Sequence, residues 1–263
     1  MYKEKVTWVH HWGDKTFSFR TTRNQAFRFN AGEFAMIGLE TSDKNILRAY
    51  SVVSAPWEEE LEWLSVKVQD GELTSRLQNL KVGDEVIMQP KCVGTLRNDA
   101  LTGGEVLWML ATGTGLAPFM SLIRDIDTLD RWNDIKLVHS VRNKEELAYN
   151  HELTRKFVGT ELFPMLHEQL TYIPVVTGKG DPRITTQLKT GEIEITEDSR
   201  VMICVNMEFN KEVMGFLESK GLTEGSITEA KLRAGDIIKM QDGEYGVVNK
   251  VKGRVAYIKL DSN

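Results

Sequence analysis

The feature that most constrains the fold of this chain is a change of rhythm at Gly103-Gly104. Before these glycines, short segments that alternate or run apolar follow one another, separated by Gly, Asn and Asp. Short strands at such close spacing are typical of small antiparallel barrels. The predicted strands cover residues 3–11, 16–22, 33–39, 47–53, 61–69 and 85–89, and one helix is predicted at residues 73–80. We therefore predict an antiparallel β-barrel domain over residues 1–99.

After the two glycines, strand patterns alternate with helix patterns. Strands are predicted at residues 105–111, 135–141, 170–176 and 201–204, and helices at residues 117–129, 145–157, 184–188 and 210–220. This alternation favours a parallel sheet in the doubly wound style. The sequence thus predicts an α/β domain over residues 100–226.

The end of the chain has a third pattern. Residues 235–240, 245–249 and 254–260 are predicted as strands around glycine-containing turns. We expect residues 227–263 to form a small β-rich extension.

Composition and charge limit the possible functions. The chain has 263 residues, enough for two cores, and its net charge of -5 argues against nucleic acid as a ligand. Cys92 and Cys204 belong to no CxxC pattern, as expected of reduced thiols in the cytoplasm. The sequence shows neither a charged-then-apolar leader nor an apolar run of about 18 residues, so we expect neither export nor a membrane span. We also expect a monomer.

The first thirty residues carry a local excess of positive charge. A basic face of this kind steers small acidic proteins, whereas the alternative is a set of solvated positions on alternating strands. The six cations are Lys3, Lys5, Lys15, Arg20, Arg23 and Arg28.

The segment Arg48-Ala49-Tyr50-Ser51 ends a predicted strand. A guanidinium binds a pyrophosphate bidentately, a tyrosine can lie flat on an isoalloxazine ring, and a serine hydroxyl can bond the reactive edge of a flavin. The alternative is a routine strand with an arginine–carboxylate pair.

The segment Gly71-Glu72-Leu73-Thr74 opens the predicted helix of the barrel. Free amides at such a position bind phosphate, and the glycine permits close approach. A plain helix cap, with Thr74 or Ser75 as the capping residue, is the alternative.

The turn Gly113-Thr114-Gly115 lies between a strand and a helix, where open parallel sheets place ligands. Arg142 and Arg183 lie near strand ends and suit a ribose phosphate, which favours NADP over NAD; surface salt bridges are the alternative. Cys204 ends the last strand, where a nicotinamide would arrive, although buried packing is the commoner role. The five histidines show no metal-binding spacing.

In order and spacing, residues 3–226 resemble the bacterial ferredoxin/flavodoxin–NADP reductases. The matching segments are Arg48-Ala49-Tyr50-Ser51, residues 66–75, residues 110–119, Val141-Arg142 with Glu146-Leu147-Ala148-Tyr149, Pro174-Val175-Val176-Thr177 and residues 201–210. Each motif alone is weak, and their combination is specific.

The resemblance implies a set of roles. Arg48 would bind the FAD pyrophosphate, Tyr50 would stack on the flavin, and Ser51 would lie by its reactive nitrogen. Further FAD contacts would come from Leu64, Ser65, Val66, Lys67, Glu72, Leu73, Thr74 and Thr114. Ala49, Gly71, Gly113 and Gly115 would also lie at the cofactor sites. NADP contacts would come from Arg142, Thr177, Arg183, Cys204, Met207 and Glu208. Ser51, Tyr50 and Cys204 would be nearest to the chemistry.

Three departures from the family pattern stand out. Gly178, followed by Lys179, replaces the usual arginine after the Pro-Val-Val-Thr strand, and Val205 replaces a glycine after Cys204. The chain also continues into residues 227–263 where relatives finish. We hypothesise that this extension replaces the missing flavin cover and presents Tyr245 or Tyr257; an unrelated stabilising or partner-binding appendage is the alternative.

The resemblance implies hydride transfer from NADPH to FAD and single-electron transfer to ferredoxin or flavodoxin, or the reverse. Two alternatives stay open at this point. One is a reductase component for an oxygenase, a free flavin or a quinone. The other is a flavin-binding, redox-responsive interaction module without turnover.

Overall fold

The first sheet of the protein is built from six antiparallel strands. The computed structural model describes residues 1–155, 166–222, 225–229, 237–239, 245–252 and 255–260. The strands are β1 (Tyr2–His11), β2 (Thr16–Thr21), β3 (Phe34–Glu40), β4 (Asn45–Ser51), β5 (Leu61–Val66) and β6 (Glu85–Val93), in the order β4-β3-β6-β1-β2-β5. A bridge between Val52 and Trp63 joins the two outer strands. The predicted antiparallel barrel is confirmed.

Alternating side chains fill this barrel. Phe17 and Phe19 on β2 and Trp63 on β5 are buried in one apolar cluster. The helix α1 (Thr74–Leu77) is shorter than predicted and covers the cluster with Leu77. His10 and His11 both lie exposed at the end of β1.

The second sheet is parallel throughout, as predicted. It contains β7 (Val106–Thr112), β8 (Asp134–Val141), β9 (Leu170–Val176), β10 (Ser199–Cys204) and β11 (Ile227–Glu229), in the order β11-β10-β7-β8-β9. The described helices are α2 (Ala117–Ile123), α3 (Ile126–Arg131), α4 (Asn150–Thr154), α5 (Leu166–Gln169), α6 (Ile184–Thr190) and α7 (Met207–Ser219). No helix among the described residues is long and apolar enough to cross a bilayer.

Two helix predictions are wrong in detail. The helix predicted at 117–129 breaks at Arg124, and Asp125 adopts extended backbone before α3. The helix predicted at 145–157 is a 3-10 turn followed by α4, with Tyr149 between them at a φ of 56°. Both breaks coincide with side chains that reach into the barrel: Arg124 and Tyr149 bond Glu62. Residues 156 and 157 lie outside the described part.

The two sheets share a core. The largest apolar cluster takes Val53, Leu64 and Leu96 from the barrel segment and packs them against Phe119 and Trp132 of the α/β segment. A common core fixes one sheet relative to the other, so residues at the junction hold a defined geometry.

The end of the chain forms a third, antiparallel sheet. It contains β12 (Ile237–Lys239), β13 (Tyr245–Lys252) and β14 (Val255–Leu260), in that order. The backbone of β12 approaches that of β4.

Candidate functional site

A tyrosine at the end of β4 is hydrogen-bonded to a buried serine of β5. The hydroxyl of Tyr50 lies 2.9 Å from the Oγ of Ser65, which is 2% exposed. Burial raises the pKa of Tyr50, so its phenol is neutral at physiological pH. The Tyr50 ring also packs against the barrel core. This anchoring gives the ring one orientation, as a stacking partner requires.

Arg48 lies two residues earlier in β4 and faces an acidic side chain. Its Nη2 is 3.1 Å from Glu72 Oε2, and Lys44 Nζ is 2.7 Å from Glu72 Oε1. The arginine–carboxylate pair raised as an alternative for this segment is therefore present. Even so, two cations meet beside the Gly71–Thr74 segment, and their side chains stay one-third or more exposed. A solvent-accessible pair of cations suits an anionic ligand.

A side chain at Gly71 would require that of Thr74 to move. A Cβ at this position would lie 2.1 Å from Thr74 Oγ1. The residue before α1 is Leu73, and no side chain caps the helix there. Neither Thr74 nor Ser75 therefore caps α1, and the alternative of a plain helix cap is wrong.

An exposed apolar side chain follows Ser65, the residue that bonds Tyr50. Val66, at the end of β5, is 37% exposed, whereas Leu64 is buried in the shared core. Lys67 donates from Nζ to the Gly13 carbonyl at 2.9 Å. An exposed valine, a fixed aromatic ring and accessible cations fit FAD, which has an apolar ring system at one end and a pyrophosphate in its middle.

The turn after β7 brings the α/β segment close to the barrel. Residues Gly113–Leu116 make a 3-10 turn that leads into α2 and approaches β5. A Cβ on Gly115 would lie 2.0 Å from the Cys204 carbonyl oxygen, so this glycine lets the turn touch the end of β10. Thr114, half-buried, lies at the centre of the turn.

Cys204 contributes bulk beside this turn and no charge. Burial raises the pKa of its thiol to about 12, so the sulfur stays protonated at neutral pH. The next residue, Val205, packs against the apolar cluster on the other side of the sheet. The side chains of Met207 and Glu208 lie outside the described part of the structure.

Three cations lie at the carboxyl edge of β8 and β9. Arg142 follows β8, Lys179 follows β9, and Arg183 precedes α6; all three are exposed, with no ion pair recorded among the described residues. The Gly178 amide donates to the Arg142 carbonyl at 2.8 Å, which joins the two strand ends. A Cβ on Gly178 would lie 2.4 Å from that carbonyl oxygen. Position 178 therefore has no room for the arginine that the family pattern has there, unless the backbone shifts.

Five of the six N-terminal cations bond to other groups of the protein. Lys3 pairs with Glu40, Lys15 with Glu146 and Arg20 with Glu62, whereas Arg23 and Arg28 donate to backbone carbonyls. Their charge is thereby partly compensated. Lys3, Lys5, Lys15 and Arg28 remain exposed, which agrees with the reading of these cations as solvated positions.

Sequence reasoning missed the buried polar network at the junction. Glu62, 1% exposed, accepts a hydrogen bond from Tyr149 and ion-pairs with Arg124. Tyr149 stands in a quoted motif, but nothing in an alternating strand shows that Glu62 points inward. In the described residues, no cluster of His, Cys, Asp and Glu is placed to hold a metal ion.

Comparison with known proteins agrees with this geometry. Residues 7–94 match the oxidoreductase FAD-binding domain, and residues 109–211 match the oxidoreductase NAD-binding domain. The chain is 44% identical to the flavodoxin/ferredoxin–NADP reductase of Rhodobacter capsulatus over 87% of its own length and 89% of that protein. It is 44% identical to the ferredoxin–NADP reductase of Pseudomonas aeruginosa over 84% and 91%.

A solved structure gives the same result. The ferredoxin NADP+ reductase of Neisseria gonorrhoeae with bound FAD and NADP superposes with a TM-score of 0.80 at 31% identity, over 87% of this chain and 97% of that one.

The fold and the site together define a two-domain, FAD-dependent oxidoreductase that uses a nicotinamide cofactor. With 44% identity over most of its length, the chain belongs to the ferredoxin/flavodoxin–NADP reductase family. FAD and NADP(H) are accordingly its cofactors.

Proposed function

We propose that this chain exchanges electrons between NADP(H) and a ferredoxin or flavodoxin, in either direction, at the junction of its two sheets. FAD, when bound, converts between the electron pair of a nicotinamide and the single electrons of a carrier protein. The observation that carries the proposal is the approach of the Gly113–Leu116 turn to β5, the strand whose Ser65 bonds the hydroxyl of Tyr50.

On the barrel side, the chain's own residues bind and orient the flavin. Arg48 neutralises the pyrophosphate, Tyr50 offers its ring for stacking, and Ser51 offers a hydroxyl to the reactive edge. The other proposed contacts are Ala49, Leu64, Ser65, Val66, Lys67, Gly71, Glu72, Leu73 and Thr74. Among them, Ser65 acts through Tyr50, whose hydroxyl it holds.

On the α/β side, the residues orient the nicotinamide cofactor. Arg142, Arg183 and Lys179 attract the ribose phosphate, and Thr177 lies between them with its hydroxyl donated to the Val141 carbonyl at 3.2 Å. Gly113, Thr114, Gly115 and the protonated Cys204 exclude water from the ring, and Met207 and Glu208 border its path. No side chain needs to act as a general acid or base.

Partner, location and assembly are also proposed. The names of the relatives support ferredoxin or flavodoxin as the acceptor, and they favour a working reductase over a module without turnover. The two free thiols, Cys92 and Cys204, suit the cytoplasm. We propose a monomer, which sedimentation of the FAD-loaded protein would test.

The testing experiment is an anaerobic titration of the FAD-loaded protein with NADPH, and separately with NADH, followed in the flavin absorbance band. We expect fast bleaching by NADPH and slow bleaching by NADH. Adding oxidised ferredoxin or flavodoxin should then restore the band. A flavin that neither nicotinamide bleaches would exclude the proposed reaction, and restoration only by free flavin or quinone would favour another class of reductase.

A further inference from the structure

A histidine lies buried behind the glycine turn and has no role in the function proposed above. His139, in the middle of β8, has no exposed surface. Its Nε2 is 3.0 Å from the carbonyl oxygen of Gly113. Because a carbonyl oxygen only accepts, Nε2 must carry the proton and donate it.

The other ring nitrogen has a partner of the opposite kind. Nδ1 lies 3.5 Å from the hydroxyl of Tyr172 on the neighbouring strand β9, a long contact in which the phenol is the donor. Burial lowers the pKa of His139 to about 4, so the ring is neutral across the physiological range. Geometry and burial thus select a single neutral form, with the proton on Nε2.

The turn is held at two points. Gly113 has a φ of 51°, a left-handed conformation that begins the turn, and its carbonyl is the atom that His139 holds. Two residues later, Gly115 packs against the Cys204 carbonyl. Thr114 lies between these points, so its position follows from both.

We propose that His139 is a positioning residue that fixes the Gly113 peptide and thereby sets where Thr114 lies between the flavin and the nicotinamide. This inference rests on the proposed function. A displacement of about 1 Å at a reacting centre slows a reaction about a hundredfold. His139 therefore governs the rate of hydride exchange and leaves the retention of either cofactor unchanged.

The first test compares two substitutions of His139 in the FAD-loaded, full-length protein. His139→Gln keeps an N–H donor near the position of Nε2, whereas His139→Leu removes the donor and leaves the Gly113 carbonyl without this hydrogen bond. His151→Leu, at an exposed histidine on α4, controls for loss of an imidazole as such. For each variant, three quantities are measured: the rate of flavin reduction by NADPH, the dissociation constant of NADP+ and the fraction of FAD retained.

We expect His139→Leu to be slower by about tenfold or more, with NADP+ affinity and FAD retention within about twofold of the parent. His139→Gln should recover most of the rate. Equal rates for the glutamine and leucine variants, or a loss of rate matched by a loss of cofactor, would overturn the proposal.

A second measurement does not depend on variants that fold. The imidazole nitrogen resonances of the unmodified protein should show a neutral ring with the proton on Nε2. A proton on Nδ1 would overturn the inference. If unmodified protein fails to react with NADPH, the proposed function fails, whereas the resonances still test how His139 holds the turn.

Discussion

The buried carboxylate of Glu62 accepts a hydrogen bond at 2.8 Å from the phenol of Tyr149, 87 positions further along the chain. Arg124 Nη1 lies 3.1 Å and Arg20 Nε 3.3 Å from the other carboxylate oxygen. Ser18 Oγ, at 2.7 Å from the Tyr149 hydroxyl, continues the network. Because Glu62 and Ser18 belong to the barrel and Tyr149 and Arg124 to the α/β segment, this network ties the two sheets together.

Removing the hydroxyl of Tyr149 should destabilise the protein without changing how it binds its cofactors. We expect Tyr149→Phe to lower the free energy of unfolding by about 2 kcal/mol, because the buried carboxylate loses a charge-assisted hydrogen bond. Urea unfolding of the cofactor-free protein measures this. Tyr2→Phe is the matched control, since no hydrogen bond is recorded for the Tyr2 hydroxyl. An equal loss in both variants would show that the Glu62 contact contributes nothing specific.

The same network predicts how stability changes in acid. Burial by itself raises the pKa of Glu62, but Arg124, Arg20 and the Tyr149 hydroxyl outweigh it, so the pKa lies below its ordinary value. A lowered carboxyl pKa contributes stability that is present above the unfolded value of about 4.3 and is lost as pH falls through the folded value. Glu62→Gln should therefore unfold with a weaker pH dependence than the parent below pH about 4. Identical slopes in that range would contradict the assignment.

His139 predicts a separate window at higher pH. The folded pKa of about 4 lies below that of a free histidine, about 6.5, so the unfolded chain takes up a proton first. The neutral ring of His139 therefore contributes fully to stability above the unfolded pKa. This contribution declines as the pH falls towards the folded pKa. His139→Gln should flatten the pH dependence of unfolding in this window, where Glu62→Gln has no effect. If the two variants altered the pH dependence of unfolding over the same pH range, the roles given to His139 and Glu62 would both be contradicted.

Glu72 predicts the strength of FAD binding. Its carboxylate bridges Lys44 and Arg48, the cations that suit the pyrophosphate. We expect Arg48→Met to raise the FAD dissociation constant about tenfold or more. Glu72→Gln should lower it about threefold, because an exposed ion pair competes only weakly. Fluorescence titration of the cofactor-free protein at two salt concentrations measures both, and the Arg48 effect should shrink at high salt. A Glu72→Gln protein that binds FAD more weakly would show that the carboxylate supports the site.

The sequence predicts the strands and helices whose apolar residues recur at regular spacing, and it predicts the motifs at their ends. The residues Arg48 to Ser51, Thr114 and Cys204 could be placed from alternation, glycine turns and order along the chain, as could both sheets except β11. That strand lies in the predicted C-terminal extension but pairs with β10. The helix at 117–129 could not be placed, because a contact with distant Glu62 accompanies its break at Arg124. The roles of Glu62 and His139 were equally hidden, since hydrogen bonds between distant strands leave no local pattern.

Lys179 predicts part of the preference for NADPH. It is one of three exposed cations at the edge of β8 and β9, and the carbonyl of Arg142 leaves no room for a side chain at position 178. Lys179→Met should raise the KM for NADPH about threefold or more and leave that for NADH unchanged, because only NADPH carries the additional phosphate. Lys189→Met, at an exposed lysine in the last turn of α6, is the control. An equal rise for both nicotinamides would assign Lys179 to a part that the two cofactors share.

The C-terminal sheet predicts an effect on flavin retention. Its first strand, β12, approaches β4, which carries Arg48, Tyr50 and Ser51. The side chains of Tyr245 and Tyr257 lie outside the described part, so the prediction rests on the backbone alone. A chain ending before residue 232 keeps β11. We expect it to lose FAD on dilution and, with FAD in excess, to oxidise NADPH faster with oxygen, because water and oxygen gain access to the ring. Unchanged FAD retention and unchanged turnover would instead identify the extension as an appendage with another purpose, and Tyr245→Leu and Tyr257→Leu in the full chain would show whether either ring is involved.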